Sequence, residues 1–240
     1  MNFRPVAAAL ALLVVLCAPS VHAADFSVTP VRIFMTTRDR AIAVTVENEG
    51  DEEMVMQAEL FAWKQKPGGE DDLTPTEDIV LSPPIVKLAP KSRQVVRLAR
   101  VGPPPVRDEL TYRMIVREVP EVKQGKELKV QLALAFSLPV FVTPNTAKRQ
   151  LQCQMERAAA DTIRAVCENT GNAYAQVRSF ALLAGNGDKL ATRETGGYIL
   201  PNIKRTFEIK APARVPAGKF SLQAGLDDGS SQTFEGTLPD

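Results

Sequence analysis

The stretch that decides the reading is Leu128-Lys129-Val130-Gln131-Leu132-Ala133-Leu134-Ala135-Phe136-Ser137-Leu138. A large apolar residue stands at every second position. In a strand, successive side chains point to opposite faces, so all six share one face. The run continues through Pro139-Val140-Phe141-Val142, and the 15 residues from 128 to 142 would extend roughly 50 Å at about 3.3 Å per residue. Ordinary strands hold about 5–6 residues. One sandwich of a chain this size would not cover the whole row. Two readings follow. The row is a long core strand bent between two domains, or part of it meets another protein. In the second reading the strand edge pairs with an incoming chain and the side chains fill a groove in it, which is strand addition. Three such anchors at about 2 kcal/mol each would contribute roughly 6 kcal/mol before ordering costs. An exposed apolar edge also invites self-pairing, so the free protein is expected to cap itself as a homo-oligomer.

The rest of the chain shares this period of two. Ile42, Val44 and Val46 alternate with smaller or polar residues, and strands are expected over 54–63, 92–99 and 110–118. Turn residues separate them: Asn48-Glu49-Gly50-Asp51, Pro67-Gly68-Gly69, Pro83-Pro84 and Gly102-Pro103-Pro104-Pro105. Glu70-Asp71-Asp72 reads as a solvated turn. After Val142-Thr143-Pro144-Asn145, taken as a linker, strands are expected over 150–155, 162–169, 176–183, 206–210, 218–226 and 232–237. Gly185-Asn186-Gly187-Asp188 reads as a hairpin turn. No stretch carries a convincing helical stripe. The fold class is therefore all-β, two β-sandwiches in tandem, split near Pro144.

Residues 1–23 read as a secretory signal: Arg4, an apolar run from Val6 to Ala18, and Val21-His22-Ala23 before the cleavage site. The apolar run is too short to span a bilayer, and no stable membrane insertion is expected. The expected domains are the signal over 1–23, a first sandwich over 24–144 and a second over 145–240. The mature chain holds 28 basic and 28 acidic residues, which argues against a nucleic-acid partner reached by bulk charge. The one histidine, His22, and Cys17 leave with the signal. Without histidine there is no Ser-His-Asp or Cys-His catalytic set and no histidine-bearing metal site. No phosphate-binding glycine loop is present. No cofactor, metal or catalytic residue is expected, although paired-carboxylate hydrolysis is not excluded by composition. Cys153 and Cys167 read as one disulfide in an exported chain, the alternative being two buried thiols. The 15-residue loop they close is worth about 3 kcal/mol in the loop-entropy account.

Several segments carry a resemblance. They are Ser82-Pro83-Pro84-Ile85-Val86-Lys87-Leu88-Ala89-Pro90, Gln94-Val95-Val96-Arg97-Leu98, Tyr112-Arg113-Met114-Ile115-Val116-Arg117-Glu118-Val119-Pro120, and Val166-Cys167-Glu168-Asn169-Thr170-Gly171-Asn172-Ala173-Tyr174. With the alternating strand, and in this order, they resemble the PapD-like periplasmic pilus chaperones of the chaperone–usher pathway over essentially the whole mature chain. The resemblance implies two immunoglobulin-like domains in an L or boomerang, a periplasmic location, and a non-enzymatic, ATP-independent role. It implies pilus subunits and an outer-membrane usher as partners. Val130, Leu132 and Leu134, extended by Leu128 and Phe136, would enter a subunit that lacks one strand. Arg32, in Thr29-Pro30-Val31-Arg32-Ile33-Phe34, falls where the family has an arginine on the first strand that anchors the subunit's C-terminal carboxylate.

The chain departs from the family at that anchor's second member, a lysine, which aligns with Pro139; Lys148 and Arg149 are the two basic residues that could compensate, and the sequence does not choose between them. It departs again at Thr143, where the family has a basic residue before the linker proline. Leu138-Pro139-Val140-Phe141-Val142 looks like the divergent branch that serves non-classical or spore-coat-U-like pili. The loop over 121–127 is short, as in the short-loop members. Outside the resemblance, a secreted β-sandwich adhesin or carbohydrate-binding module is the competing function. It would need exposed clustered aromatics, and Trp63 and Tyr112 lie in strand-like runs instead.

Overall fold

The computed structural model describes residues 26–120 and 133–239. The described residues contain strands and turns, with no helix. Ten strands form the first half: β1 (Phe26–Thr29), β2 (Ile33–Thr36), β3 (Ala41–Asn48), β4 (Met54–Gln65), β5 (Asp71–Pro75), β6 (Ile79–Ser82), β7 (Ile85–Leu88), β8 (Arg93–Arg100), β9 (Leu110–Glu118) and β10 (Ala135–Thr143). Eight follow: β11 (Leu151–Ala159), β12 (Thr162–Asn169), β13 (Ala175–Ala184), β14 (Lys189–Arg193), β15 (Gly197–Ile199), β16 (Lys204–Lys210), β17 (Gly218–Leu226) and β18 (Ser231–Leu238).

A four-stranded sheet, β1-β3-β8-β6, faces a six-stranded one, β2-β10-β9-β4-β5 with β7 on β4. Period-two alternation sends Val44 and Val46, Val96 and Leu98, Tyr112, Met114 and Val116, and Leu138, Val140 and Val142 into one core between them. Strands from β11 onward build a second pair of sheets, β11-β12-β16 and β14-β13-β17-β18 with β15 on β13. Their core holds Ile163, Phe180, Leu182, Phe207, Ile209 and Leu222.

Both halves fasten the turn after one strand in the same way. The fully buried Asn48 donates to the carbonyls of Glu52 and Ala89, and its Oδ1 accepts the Gly50 N–H at 2.9 Å. The equally buried Asn169 donates to the carbonyls of Ala173 and Ile199, and its Oδ1 accepts the Gly171 N–H at 3.0 Å. A Cβ on Gly171 would come within 2.2 Å of the Lys148 carbonyl, so the close approach requires glycine.

Several expected boundaries move. Asp71 and Asp72 belong to β5, because their backbones pair with Lys64 and Gln65 while their side chains stay polar. Val142 and Thr143 are strand, and the linker begins at Pro144, whose missing N–H cannot continue the ladder. Arg32 is not on the first strand. It sits in the bend between β1 and β2, where Pro30 interrupts pairing and the chain crosses from one sheet to the other. The hairpin at Gly185-Asn186-Gly187-Asp188 joins β13 to β14, with Gly187 at φ 91°.

The two sandwiches meet through positions that alternation would place in solvent. Phe141 points away from the first core, opposite in parity to Val140 and Val142, yet it is fully buried. It packs with Trp63, Tyr174 and Leu200. Around these rings lie polar clasps. The Gln65 side chain accepts the Leu200 N–H at 3.0 Å and donates to the Tyr198 carbonyl at 3.2 Å. The Glu109 carboxylate accepts the Thr143 hydroxyl at 2.7 Å and the Tyr174 N–H at 2.8 Å, while the Glu109 N–H donates to the Asn172 carbonyl. Burial raises the Glu109 carboxyl above its ordinary 4.5, and those two hydrogen bonds only partly offset it.

Cys153 and Cys167 face each other across β11 and β12 and form a disulfide. Replacing both by alanine should cost about 3 kcal/mol in denaturant unfolding of the second sandwich. A change below about 1 kcal/mol would mean that the bridge closes no loop worth constraining.

Glu109 makes a pH prediction. Between 4.5 and its raised native value, the folded state keeps a proton that the unfolded chain has lost. Its contribution therefore weakens as pH rises through that window, and the ionised form at pH 7 is a cost. In Glu109→Gln the amide can still accept from Tyr174 and meet the Thr143 hydroxyl. Its stability should lie within about 1 kcal/mol of wild type at pH 7, and it should lose ground to wild type as the medium is acidified. A constant deficit of several kcal/mol at every pH would contradict this account.

Candidate functional site

β10 supplies the first element of the site. On one side it pairs with β9 along Ala135 to Val142, and the Glu118 N–H reaches the Leu134 carbonyl at 3.1 Å. On the other side it pairs in parallel with β2, but only from Val140 to Thr143. The stretch from Ala135 to Pro139 therefore has one flank without a strand partner among the described residues. Phe136 stands on this stretch and Leu134 immediately before it, and they are 37% and 43% exposed. They share their face with Leu138, Val140 and Val142, which are buried, so the apolar row runs out of the core into the open. The Phe136 ring meets Phe26 edge-on at 4.9 Å, which braces the outgoing strand. Leu128, Val130 and Leu132 lie outside the described residues.

The second element is a charged cluster between the sandwiches. Arg32 Nη1 donates to Asp227 Oδ2 at 2.6 Å and to Gln176 Oε1 at 3.2 Å. Arg149 Nη1 reaches Asp227 Oδ1 at 3.1 Å, and its Nη2 donates to the Tyr174 hydroxyl at 2.9 Å. The Arg149 guanidinium also stands 4.6 Å above the Tyr174 ring. The Tyr174 hydroxyl donates to Asp227 Oδ2 at 3.2 Å. One carboxylate thus holds two arginines from different parts of the fold. The Asp227 side chain is only 5% exposed, while the arginines are 29% and 33% exposed. Burial alone would lower the Arg32 pKa. The hydrogen bond to Asp227, together with coulombic attraction that includes the Asp227 carboxylate, reverses this and raises it. Burial pushes the Tyr174 hydroxyl up to about 12. Arg32 is therefore charged and Tyr174 is neutral throughout the physiological range.

Pro139 lies opposite Arg113 in the β9–β10 register. Arg113 is committed elsewhere: its guanidinium stacks 3.8 Å from the Trp63 ring and lies 3.6 Å from Asp71. It is mostly buried, whereas Arg149 keeps a third of its side chain in solvent. Asp227 is the member that sequence patterns did not reveal, and for the missing lysine they left Lys148 and Arg149 both open. Arg149 adjoins the linker and Asp227 lies in a turn-like Asp-Asp-Gly, and nothing local marks either as facing Arg32. Trp63 and Tyr112, which a carbohydrate-binding face would display, are buried.

Solved structures with the same fold include a chain of the CsuC–CsuE chaperone–tip adhesion subunit pre-assembly complex from archaic Csu pili of Acinetobacter baumannii. It is 23% identical with a TM-score of 0.64, over 90% of this chain and 99% of that one. The E. coli chaperone DraB is also 23% identical, with a TM-score of 0.59 over 89% and 96% of the two chains. A chain of the Salmonella enterica SafA pilin–SafB chaperone complex is 15% identical, with a TM-score of 0.60 over 92% and 99%. Likeness at these identities speaks to the fold. No curated protein matches the chain. The model for the pili and flagellar-assembly chaperones, PapD N-terminal domain, matches residues 25–148, and the chain belongs to that family.

Proposed function

We propose that this protein is an ATP-independent periplasmic chaperone that completes unfinished pilus subunits by lending them a strand, and then passes them to an outer-membrane usher. The observation that carries the reading is the flank of β10 from Ala135 to Pro139, which has no strand partner among the described residues, with Leu134 and Phe136 exposed beside it. A strand edge needs backbone partners, and an apolar row needs cover. A subunit that lacks one strand of its sandwich offers both. Leu128, Val130 and Leu132 continue the row at the same parity, and three such anchors would supply roughly 6 kcal/mol before ordering costs. The same edge, left empty, suits self-capping by a second copy.

In this reading Arg32 binds the subunit's C-terminal carboxylate. Arg149 takes the part that Pro139 cannot play, because Pro139 has neither charge nor N–H. Asp227 already positions both guanidinium groups, and the incoming carboxylate would meet their outer nitrogens or displace it. A charge-assisted contact of this kind fixes register as well as adding affinity. Sheet membership supports a first sandwich over 24–144 and a second over 145–240, behind a signal over 1–23. Relatives of this fold have been solved with pilin and tip-adhesin subunits, which favours the same class of client here.

Leu132→Glu and Arg32→Ala should each abolish capture of a co-expressed subunit, while circular dichroism shows both sandwiches folded. Co-purification of subunit at wild-type yield with both variants would refute the proposal. Arg149→Ala should weaken capture about tenfold, the loss of one exposed charge-assisted contact.

A further inference from the structure

Beside the basic pair lies a feature that the strand row does not explain. Alternation along β2 sends Ile33 and Met35 into the core and turns Arg32 and Phe34 outward together. Phe34 is 48% exposed. Its ring lies 22° from the plane of Phe141 and 26° from that of Tyr174, with centroids 5.6 Å and 6.3 Å away. Phe141 and Tyr174 themselves stack at 3.9 Å and 16°. Three rings thus stand nearly parallel. Two are buried and fixed, and Phe34 alone keeps an open surface. The cavity in front of it, about 480 Å³, is lined by Phe34, Tyr174, Arg149, Thr143, Ala147 and Asp228 among others. Arg149 therefore belongs both to this cavity and to the cluster on Asp227.

We propose that Phe34 and this cavity form a subsite for the last side chain of the client, and that the side chain is aromatic or large and aliphatic. The inference rests on the reading of Arg32 and Arg149 as the carboxylate anchor. A C-terminal carboxylate is one bond, about 1.5 Å, from the Cα that carries the last side chain. With the carboxylate on the arginines, that side chain enters the space shared by Arg149 and Phe34. A ring there extends the parallel stack, in the offset arrangement that aromatic pairs favour. An aliphatic chain covers the open Phe34 face and removes apolar surface from water. Asp228 and Glu109 also line the cavity, so an acidic last residue is disfavoured by like charge.

The test uses the full-length mature protein and fluorescein-labelled peptides of about twelve alternating Val and Thr residues. The peptides differ only in the final residue (Phe, Leu, Ala or Glu), each as free acid and as amide. Fluorescence anisotropy should rank Phe and Leu about tenfold above Ala, with Glu weakest. The ranking should collapse in Phe34→Ala and survive in Phe34→Leu. The free acids should bind about tenfold better than the amides in wild type and Phe34→Ala alike, and this difference should vanish in Arg32→Ala. A flat ranking in wild type, or one unchanged by Phe34→Ala, overturns the subsite while a persisting acid preference keeps the anchor. Loss of the acid preference in wild type overturns the anchor and the subsite together. If Phe34→Ala does not fold, Phe34→Thr, which puts a strand-favouring β-branched residue there, decides by the same ranking.

Discussion

Everything in this molecule turns on the parity of one strand. Even-numbered positions of β10 lie on the face of the first core, and on the opposite face Phe141 meets the second sandwich. Leu138, Val140 and Val142 hold the first domain together, while Phe141 supplies the hydrophobic seam to the second. A slip of one residue would exchange the two sets and destroy both contacts. The same parity carries Leu134 and Phe136 beyond the point where β2 stops pairing, so the core's own face continues into solvent beside a flank that has no strand partner among the described residues. Core, seam and edge are therefore one constraint, and the strand cannot be altered for one of them without the others.

The seam is unusual in its chemistry. An aromatic cluster fills its middle, and side-chain to backbone bonds from Gln65 and Glu109 fix its rim. Asp227, Arg32 and Arg149 close one end as a shared ion cluster. Glu109 meets Thr143 where the family pattern has a basic residue, so that buried carboxylate is held by neutral donors. The positive charge instead enters from Arg149, after the linker. Alongside the departures at Pro139 and Thr143, Arg149 joins Arg32 on Asp227, which is why we propose it for the second place in the anchor.

Much of this was legible in the sequence. Alternation located β9, β12 and β17 to the residue, because each has a run of large apolar side chains facing a sheet partner. The disulfide pair and the hairpin at Gly187 were equally plain. The short strands β5, β6, β7 and β15 were not, since three to five residues with mixed exposure give too little periodicity. Alternation turns Phe141 away from the first core, and no local pattern shows that it fills a seam between two domains. Of the site, Arg32 and the apolar row could be named in advance. Asp227 and Phe34 could not, and the choice between Lys148 and Arg149 stayed open, because their meeting depends on how the sandwiches are docked.

The most direct test of the account is a crystal or cryo-EM structure of the protein with a pilus subunit bound. The account requires the free flank of β10 to carry backbone hydrogen bonds to the subunit, with the apolar row from Leu128 to Phe136 sunk into the subunit's groove. A complex in which that flank stays empty, and the subunit docks on another face, would contradict it.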